Sequence, residues 1–452
     1  MTEKLLKYWD RMVLNEPGRV ILRDAGTGAS WTPVDIDAAA AVFSREFGSV
    51  RPGHVVAFQL PNGPDWIACF LAILRQGAVG LPLDPGCTEP YARKLAVDAG
   101  AALSLRHTAS GMRSERLRDP RKKSSALCLG KLTSGSTGQA KVCFFRDEEI
   151  LADGRNVVAT MGIRKSDVNF GHIPFGHSYG IGNLVAPLFL HGIPVIASSD
   201  SIPRAIWRAL SEGGATVLPT VPGMLQAVAA LDLPPAPSLR LVISAGSRLD
   251  PELAVNFRKQ YGLPVHNFLG SSETGGIAYD RTGEFSEEGS GAVGPPMDGV
   301  RWSITATGRL LVGGPAVFTH GNRRTRNGVG HFLLRDKASI GPKGELILGG
   351  RVGKIMKIAG KRVDLGTFEQ RCRQHPAIRD CVAAPLQEDR HFGALFVVRG
   401  EDFDPQAWVR GEFPQWLIPR RMRIVSKMPM DARGKTTLEV VRKALETPAK
   451  KS

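Results

Sequence analysis

The residues best suited to chemistry are Leu132-Thr133-Ser134-Gly135-Ser136-Thr137-Gly138-Gln139-Ala140-Lys141. Small residues let a backbone approach phosphate oxygens closely, and four hydroxyls and one lysine supply donors. Apolar runs at 126–132 and 142–145 flank the stretch and read as strands. The Walker spacing G-x-x-x-x-G-K-S/T is absent, since Lys141 is followed by Val142. A Gly/Ser-rich linker is the competing reading. Two flanking apolar strands and a terminal lone lysine argue against it.

The decamer closely resembles the phosphate loop of the adenylate-forming superfamily, which includes acyl- and aryl-CoA synthetases, peptide-synthetase adenylation domains and luciferases. Further matches follow in the order the family has them, over essentially the whole chain. Val55-Val56-Ala57, Leu60-Pro61-Asn62 and Gly77-Ala78-Val79 look like its N-terminal region. Pro174-Phe175-Gly176-His177-Ser178-Tyr179-Gly180 looks like the segment beside the acyl pocket, and Ser244-Ala245-Gly246-Ser247-Arg248-Leu249 like the loop along the adenine. Leu269-Gly270-Ser271-Ser272-Glu273 resembles Y-G-x-T-E. Gly350-Arg351, Ile355-Met356-Lys357-Ile358-Ala359-Gly360-Lys361 and Pro429-Met430-Asp431-Ala432-Arg433-Gly434-Lys435 complete the series.

The resemblance implies a role for each matching residue. Thr133, Ser134, Gly135, Ser136, Thr137, Gly138 and Lys141 would cradle the phosphates of ATP. Gly246, Ser247, Gly270 and Ser271 would line the nucleotide, and Ser272 would bond the α-phosphate. Glu273 would hold Mg²⁺, whose charge offsets that of the phosphates in the displacement. Asp336 would grip the ribose hydroxyls, two donors suiting one carboxylate. Arg335 and Lys337 beside it depart from the family pattern, so pairing with either is the alternative. Arg351 would contact ribose or phosphate. Lys435 would neutralise the charge that crowds as carboxylate meets α-phosphate. Lys357 would serve thioester formation. His177 falls at the junction of acyl pocket and α-phosphate, and a packed, hydrogen-bonded histidine is its alternative.

Three features depart from the family: Leu269 replaces the tyrosine under the adenine, Gly353 replaces the Asp or Lys usual at the interdomain hinge, and the C-terminal unit is short around 385–399. Amino-acid-activating members carry an Asp where this chain has Gly176. A desolvated substrate ammonium without that counter-charge costs several kcal/mol, so a fatty or aromatic acid is expected. The acceptor is expected to be the thiol of coenzyme A or the phosphopantetheine arm of an acidic acyl carrier protein. An amino-acid-type adenylation enzyme and a nucleotide-binding regulator with decayed catalysis are the alternatives.

The elements that must position these residues read as α/β. Residues 35–47 and 66–75 have helical spacing, and 55–60 and 78–83 read as strands, an alternation that implies a largely parallel layered sheet. Residues 113–125 are polar and basic and read as a surface connection. From 291 to 350, short strands punctuated by glycines suggest a small β unit. Residues 353–452 read as a separate, mobile α+β domain ending in a helix at 438–445, which leaves 1–352 as a large N-terminal adenylation domain.

At 452 residues, 42% hydrophobic and 23% charged, the chain is an ordinary globular one with room for several folding units. No apolar run reaches the length of a membrane span, and the start lacks the core of a secretion signal, so a cytoplasmic protein without stable membrane insertion is expected. Cys69, Cys87, Cys128, Cys143, Cys372 and Cys381 form no C-x-x-C pair and read as small buried thiols. The net charge is +16, and residues 353–452 carry 20 Lys+Arg against 12 Asp+Glu. Such a basic unit suits an anionic partner. Without a recognition helix, finger or aromatic-basic motif, nucleic acid is not expected.

Overall fold

The computed structural model describes residues 4–108, 111–133, 141–288, 291–351, 355–358, 361–386, 391–400, 403–413, 415–431 and 435–446. Ser134, Gly135, Ser136, Thr137, Gly138 and Gly353 lie outside them. The contacts divide the chain into two units. The first is Met1–Trp302, Val312–Phe332 and Lys343–Glu345; the second is Ser303–Leu311, Leu333–Pro342 and Leu346–Ser452.

The first unit contains a six-stranded sheet in the order Gly111–Arg116, Ala101–Thr108, Val55–Gln59, Val79–Pro82, β1 (Leu127–Thr133) and β2 (Lys141–Arg146). The inner four strands are parallel and both edge strands antiparallel. Val55 and Ala57 enter one buried cluster and Val56 and Phe58 another, because successive side chains of a strand point to opposite faces. Both faces are therefore covered, as parallel strands require. Helix Pro64–Arg75 is buried at every position from 66 to 74. Its Trp66 ring centroid lies 5.2 Å from that of Phe58 and 5.7 Å from that of Phe175. Helix Pro33–Glu46 begins at a reciprocal cap, Asp35 N donating to Thr32 Oγ1 and Thr32 N to Asp35 Oδ2.

One expectation fails here. Residues 113–116, read as connection, belong to the edge strand Gly111–Arg116, with Arg113 opposite Arg106 and Glu115 opposite Ser104. Most of that strand's side chains are exposed, so no apolar alternation marks it. Its charged groups suit an edge that must not pair with another chain.

A second sheet of eight strands runs in the order Ser30–Trp31, Leu22–Asp24, Val195–Ala197, Asn169–Gly171, Val217–Thr220, Leu241–Ser244, β3 (Val265–Ser271) and β4 (Gly275–Tyr279). Helix α1 (Asp147–Met161) follows β2 and carries buried Glu149, Asp153, Asn156 and Thr160. The spacing i, i+4, i+7, i+11 places all four on one face. Together they meet three segments, at Thr319, at Gly276 and at Asp298–Gly299. Glu149 Oε1 accepts from Thr319 N at 2.9 Å, Asp153 Oδ1 from Gly276 N at 2.9 Å, and Thr160 Oγ1 from Asp298 N at 2.9 Å. A Cβ on Gly299 would meet Asn156 Oδ1 at 2.5 Å. The helix is a polar strut under the glycine-rich loops.

In the second unit, Leu333–Pro342 and Leu346–Arg351 contribute an antiparallel ladder in which Asp336 stands opposite Arg351. Strand Ile378–Pro385 pairs antiparallel with Phe392–Val398, which pairs parallel with Arg421–Ile424. Helices Leu365–Arg373, Pro405–Glu412 and Leu438–Glu446 supply Phe368, Val409 and Leu445 to the cores of this α+β body. Cys69, Cys128, Cys372 and Cys381 are buried and unbridged, whereas Cys87 and Cys143 are half-buried. Among the described residues, no helix is long and apolar enough to cross a membrane.

Candidate active site

Strands β1 and β2 form an antiparallel hairpin whose outermost pair is Thr133 opposite Lys141. Residues 134–140 thus join two strands held in register at the rim of the six-stranded sheet. Strands β3 and β4 form a second hairpin, with Gly270 opposite Gly276 and Ser271 opposite Gly275. Its turn is fixed by hydroxyls: Ser271 Oγ lies 3.0 Å from Thr274 Oγ1 and accepts from Glu273 N at 3.3 Å. Gly275 has φ +70°, and a Cβ there would meet Asp153 Oδ1 at 2.3 Å. Glycine is required at that position on both counts.

Ser272 joins the two hairpins. Its Oγ donates to Leu132 O at 3.3 Å and accepts from Ser178 Oγ at 2.8 Å. One hydrogen-bonded chain therefore links the segment 174–180, the Ser272 turn and strand β1. Glu273 is half-buried, and its carbonyl accepts from Phe318 N at 3.2 Å. The Cys143 thiol on β2 is pushed up to about 12, by burial first and then by the Glu273 charge. Among the described residues, no three His, Cys, Asp or Glu side chains cluster as a metal cage. A single carboxylate fits Mg²⁺, which keeps waters and takes its remaining ligands from substrate phosphates.

His177 Nε2 lies 3.0 Å from Asp84 Oδ2. The preceding loop is clamped by Asn62, whose Nδ2 donates to Gly171 O at 2.9 Å and Ile173 O at 2.8 Å while its Oδ1 accepts from Phe175 N at 2.7 Å. A Cβ at Gly176 would meet Pro82 Cβ at 2.7 Å, so this position admits no carboxylate without displacing Pro82. Tyr179 donates to Ile243 O at 3.0 Å, and its ring centroid lies 5.6 Å from that of Phe268. Burial raises the Tyr179 hydroxyl well above the usual phenol range. His172 Nε2 lies 3.0 Å from Thr220 Oγ1, and burial pushes the imidazole down to about 4. Along the expected adenine loop, Gly246 has φ +88°. The buried Oγ of Ser247 has no hydrogen-bond partner among the described residues. An orphaned hydroxyl there fits a nucleotide, because buried polar groups are otherwise paired.

Asp336, Arg351, Lys357 and Lys435 fall in the second unit. Asp336 and Arg351 are ladder partners, and Lys357 stands opposite Arg362 in a two-stranded ribbon. Lys435 is exposed. Its N–H donates to Asp431 Oδ1 at 3.0 Å and its carbonyl accepts from Asp431 N at 2.9 Å. Sequence reasoning missed Asp84, Lys131 and Asp153. Asp84 meets its partner 93 positions away, which no local pattern reveals. Asp153 had a signal in the buried polar stripe of α1.

The model of the family described as AMP-binding enzyme matches residues 9–131 and 113–320. Feruloyl-CoA synthase of an Amycolatopsis species is 24% identical over 475 residues, covering 94% of this chain and 96% of that protein. A linear gramicidin synthase of Brevibacillus parabrevis is 25% identical over 457 residues, and there the match covers 88% of this chain but 6% of the much longer relative. The solved structure of Klebsiella oxytoca NpsA in complex with 3-hydroxyanthranilyl-AMSN superposes with a TM-score of 0.81 at 18% identity, covering 99% of this chain and 100% of that one. The family match, over more than half of the sequence, makes the chain a member of the AMP-binding enzyme family, within the adenylate-forming superfamily.

Proposed function

We propose that the protein activates a fatty or aromatic carboxylic acid with ATP and passes the acyl group to a thiol. A carboxylate oxygen attacks the α-phosphorus, the bond to the β-phosphate oxygen breaks, and pyrophosphate leaves with that electron pair. The acceptor thiolate then attacks the acyl carbon and AMP departs. The observation that carries this reading is the Ser178–Ser272–Leu132 chain. It joins the segments to which the resemblance assigns the acid, the α-phosphate and the phosphate loop. Ser272 and Lys141 bind phosphate, Glu273 holds Mg²⁺, Asp336 and Arg351 bind the ribose side, and His177 lies toward the acid. Lys435 serves adenylation and Lys357 thioester formation, with 1–352 as the adenylation domain and 353–452 as a mobile lid.

The lack of room for a side chain at Gly176 supports an acid without an α-ammonium group. A feruloyl-CoA synthase among the relatives supports an aromatic acid and coenzyme A. The basic stretch 353–452 also suits an acidic, phosphopantetheinylated carrier protein. We place the reaction in the cytoplasm. ATP–pyrophosphate exchange over fatty, aryl and amino acids tests the reading. Exchange with fatty or aryl acids and none with free amino acids is expected, and exchange driven best by an α-amino acid overturns it.

A further inference from the structure

Two charged side chains buried behind the phosphate-binding hairpins take no part in the roles above. Lys131 lies on β1, two residues before Thr133, and is 1% exposed. Asp153 lies on α1 and is 3% exposed. Their Nζ and Oδ2 atoms are 3.9 Å apart. The Lys131 ammonium also sits 4.5 Å from the centre of the Phe145 ring and has no hydrogen-bond partner among the described residues. Burial pushes the lysine down and the aspartate up, and each charge opposes the other's shift.

Asp153 is walled in by glycines. A Cβ on Gly182 would come 2.9 Å from Oδ2, and one on Gly275 would come 2.3 Å from Oδ1. The backbone of the Ser271–Gly276 turn therefore rests directly on this carboxylate, and Gly276 N donates to Oδ1. A buried ion pair is weak evidence for stability, because an apolar pair of similar volume often serves as well or better. Such a pair can instead specify one geometry, and here it connects the root of the phosphate loop to the turn that carries Ser272 and Glu273.

We infer that Asp153, held by Lys131, is a positioning residue for adenylation: it sets the Ser272–Glu273 turn against the strand that carries the phosphate loop. The inference rests on the proposed function for its chemistry and on the Lys131–Asp153–Gly276 connection for its geometry. Displacing Glu273 by about 1 Å is expected to cost about 10²-fold in rate. The loss falls mainly on the adenylation half-reaction, because transfer from ready-made acyl-AMP keeps the Ser272 contact to the α-phosphate but does not use Glu273 and the pyrophosphate-side contacts.

The test compares two double variants. Lys131→Met with Asp153→Leu removes both charges and the acceptor of Gly276 N. Lys131→Met with Asp153→Asn removes both charges but keeps an amide oxygen in reach of Gly276 N. The first leaves the buried Gly276 N–H without its acceptor, so it is expected to melt a few degrees lower but stay folded at assay temperature, and to lose about 10²-fold in kcat for ATP–pyrophosphate exchange. Its KM for the acid should stay within twofold, and thioester formation from supplied acyl-AMP within a few-fold. The second should recover exchange to within roughly tenfold of wild type, a loss on the scale of one altered hydrogen bond. If Gly182 and Gly275 leave no room for leucine, Asp153→Ala replaces it in the same comparison.

The dissociation constant of MgATP, measured by calorimetry on the same proteins, separates the two readings. A wild-type chain that binds MgATP but exchanges no acid counts against the proposed function. In that case the positioning role is read from MgATP affinity, expected to weaken about tenfold in the first variant and less in the second. If exchange and MgATP affinity in the first variant match the wild type, or fall only as far as the folded fraction falls, the positioning role is wrong.

Discussion

Nε2 of His177 lies 3.0 Å from Oδ2 of Asp84, and the adjacent Ser178 hydroxyl donates to Ser272. The imidazole that the resemblance sets beside the acid is thus tied on one side to the end of strand Val79–Pro82 and on the other, through its chain neighbour, to the expected α-phosphate contact. Asp84 is itself fixed, since its Oδ1 accepts from Gly86 N at 2.8 Å. Asp84→Ala should lower kcat/KM for exchange about tenfold, the scale of one hydrogen bond. Asp84→Asn should restore most of it. Steady-state exchange kinetics with the best acid decide, and a change under twofold in Asp84→Ala would mean that the contact only packs the loop.

Gly176 gives a second outcome. Its Cβ position is taken by Pro82 at 2.7 Å. Gly176→Asp, which copies the residue found in amino-acid-activating members, should therefore not confer amino-acid exchange. Overpacking should instead destabilise the protein by about 1–3 kcal/mol. Thermal melting and an amino-acid exchange panel measure the two effects, and new exchange with an α-amino acid at unchanged stability would refute this account.

The buried His172 makes stability depend on pH. Its folded pKa is about 4 against an ordinary 6.5, and burial is the cause. Below pH 6.5 the unfolded chain binds a proton that the folded chain refuses, so stability rises with pH across this interval. The contribution is fully present above 6.5 and is lost as pH falls toward 4, to at most about 3 kcal/mol. His172→Gln keeps a polar group near Thr220 Oγ1 and removes the titration. Urea unfolding at several pH values should show wild type losing more stability than the variant between pH 6.5 and 4. Equal losses would assign the acid sensitivity to other groups.

Local patterns made much of this molecule readable. The buried helix at 64–75, the strands at 55–59 and 79–82 and the final helix at 438–446 follow from runs of apolar residues and their period. The strands on either side of residues 134–140 followed from the apolar runs at 126–132 and 142–145, and their antiparallel pairing came from the structure. What stayed hidden was non-local or polar. Strand 111–116 has no buried face to give it a period. Asp84 reads as a turn residue until His177 is brought beside it. Lys131 reads as an interruption in an apolar strand, and only the fold shows that Asp153 waits behind it. Pairings between distant charges depend on topology, which a single sequence encodes too diffusely for periodicity to expose.

The last outcome separates two lysines. Lys435 exchanges two hydrogen bonds with Asp431, its N–H donating to the carboxylate and its carbonyl accepting from the Asp431 N–H, and Lys357 lies on a short ribbon strand opposite Arg362. The two occupy different elements, and the two half-reactions pose different electrostatic problems. In adenylation a carboxylate approaches a phosphate, and a nearby ammonium lowers the barrier by neutralising charge that develops between two anions. Loss of one such donor costs about 10²–10³ in rate, so Lys435→Ala should lower pyrophosphate exchange by that factor. Thioester formation begins from acyl-AMP, where the anions have already been joined, so Lys435→Ala should spare transfer from supplied acyl-AMP. Lys357→Ala should do the reverse, slowing transfer to coenzyme A or a carrier thiol and leaving exchange within a few-fold. Both proteins should melt near the wild-type temperature. Measuring both half-reactions on both variants gives four rates. A crossed pattern supports the division of labour, whereas equal damage to both half-reactions by both substitutions would show that the lysines act as one charged surface.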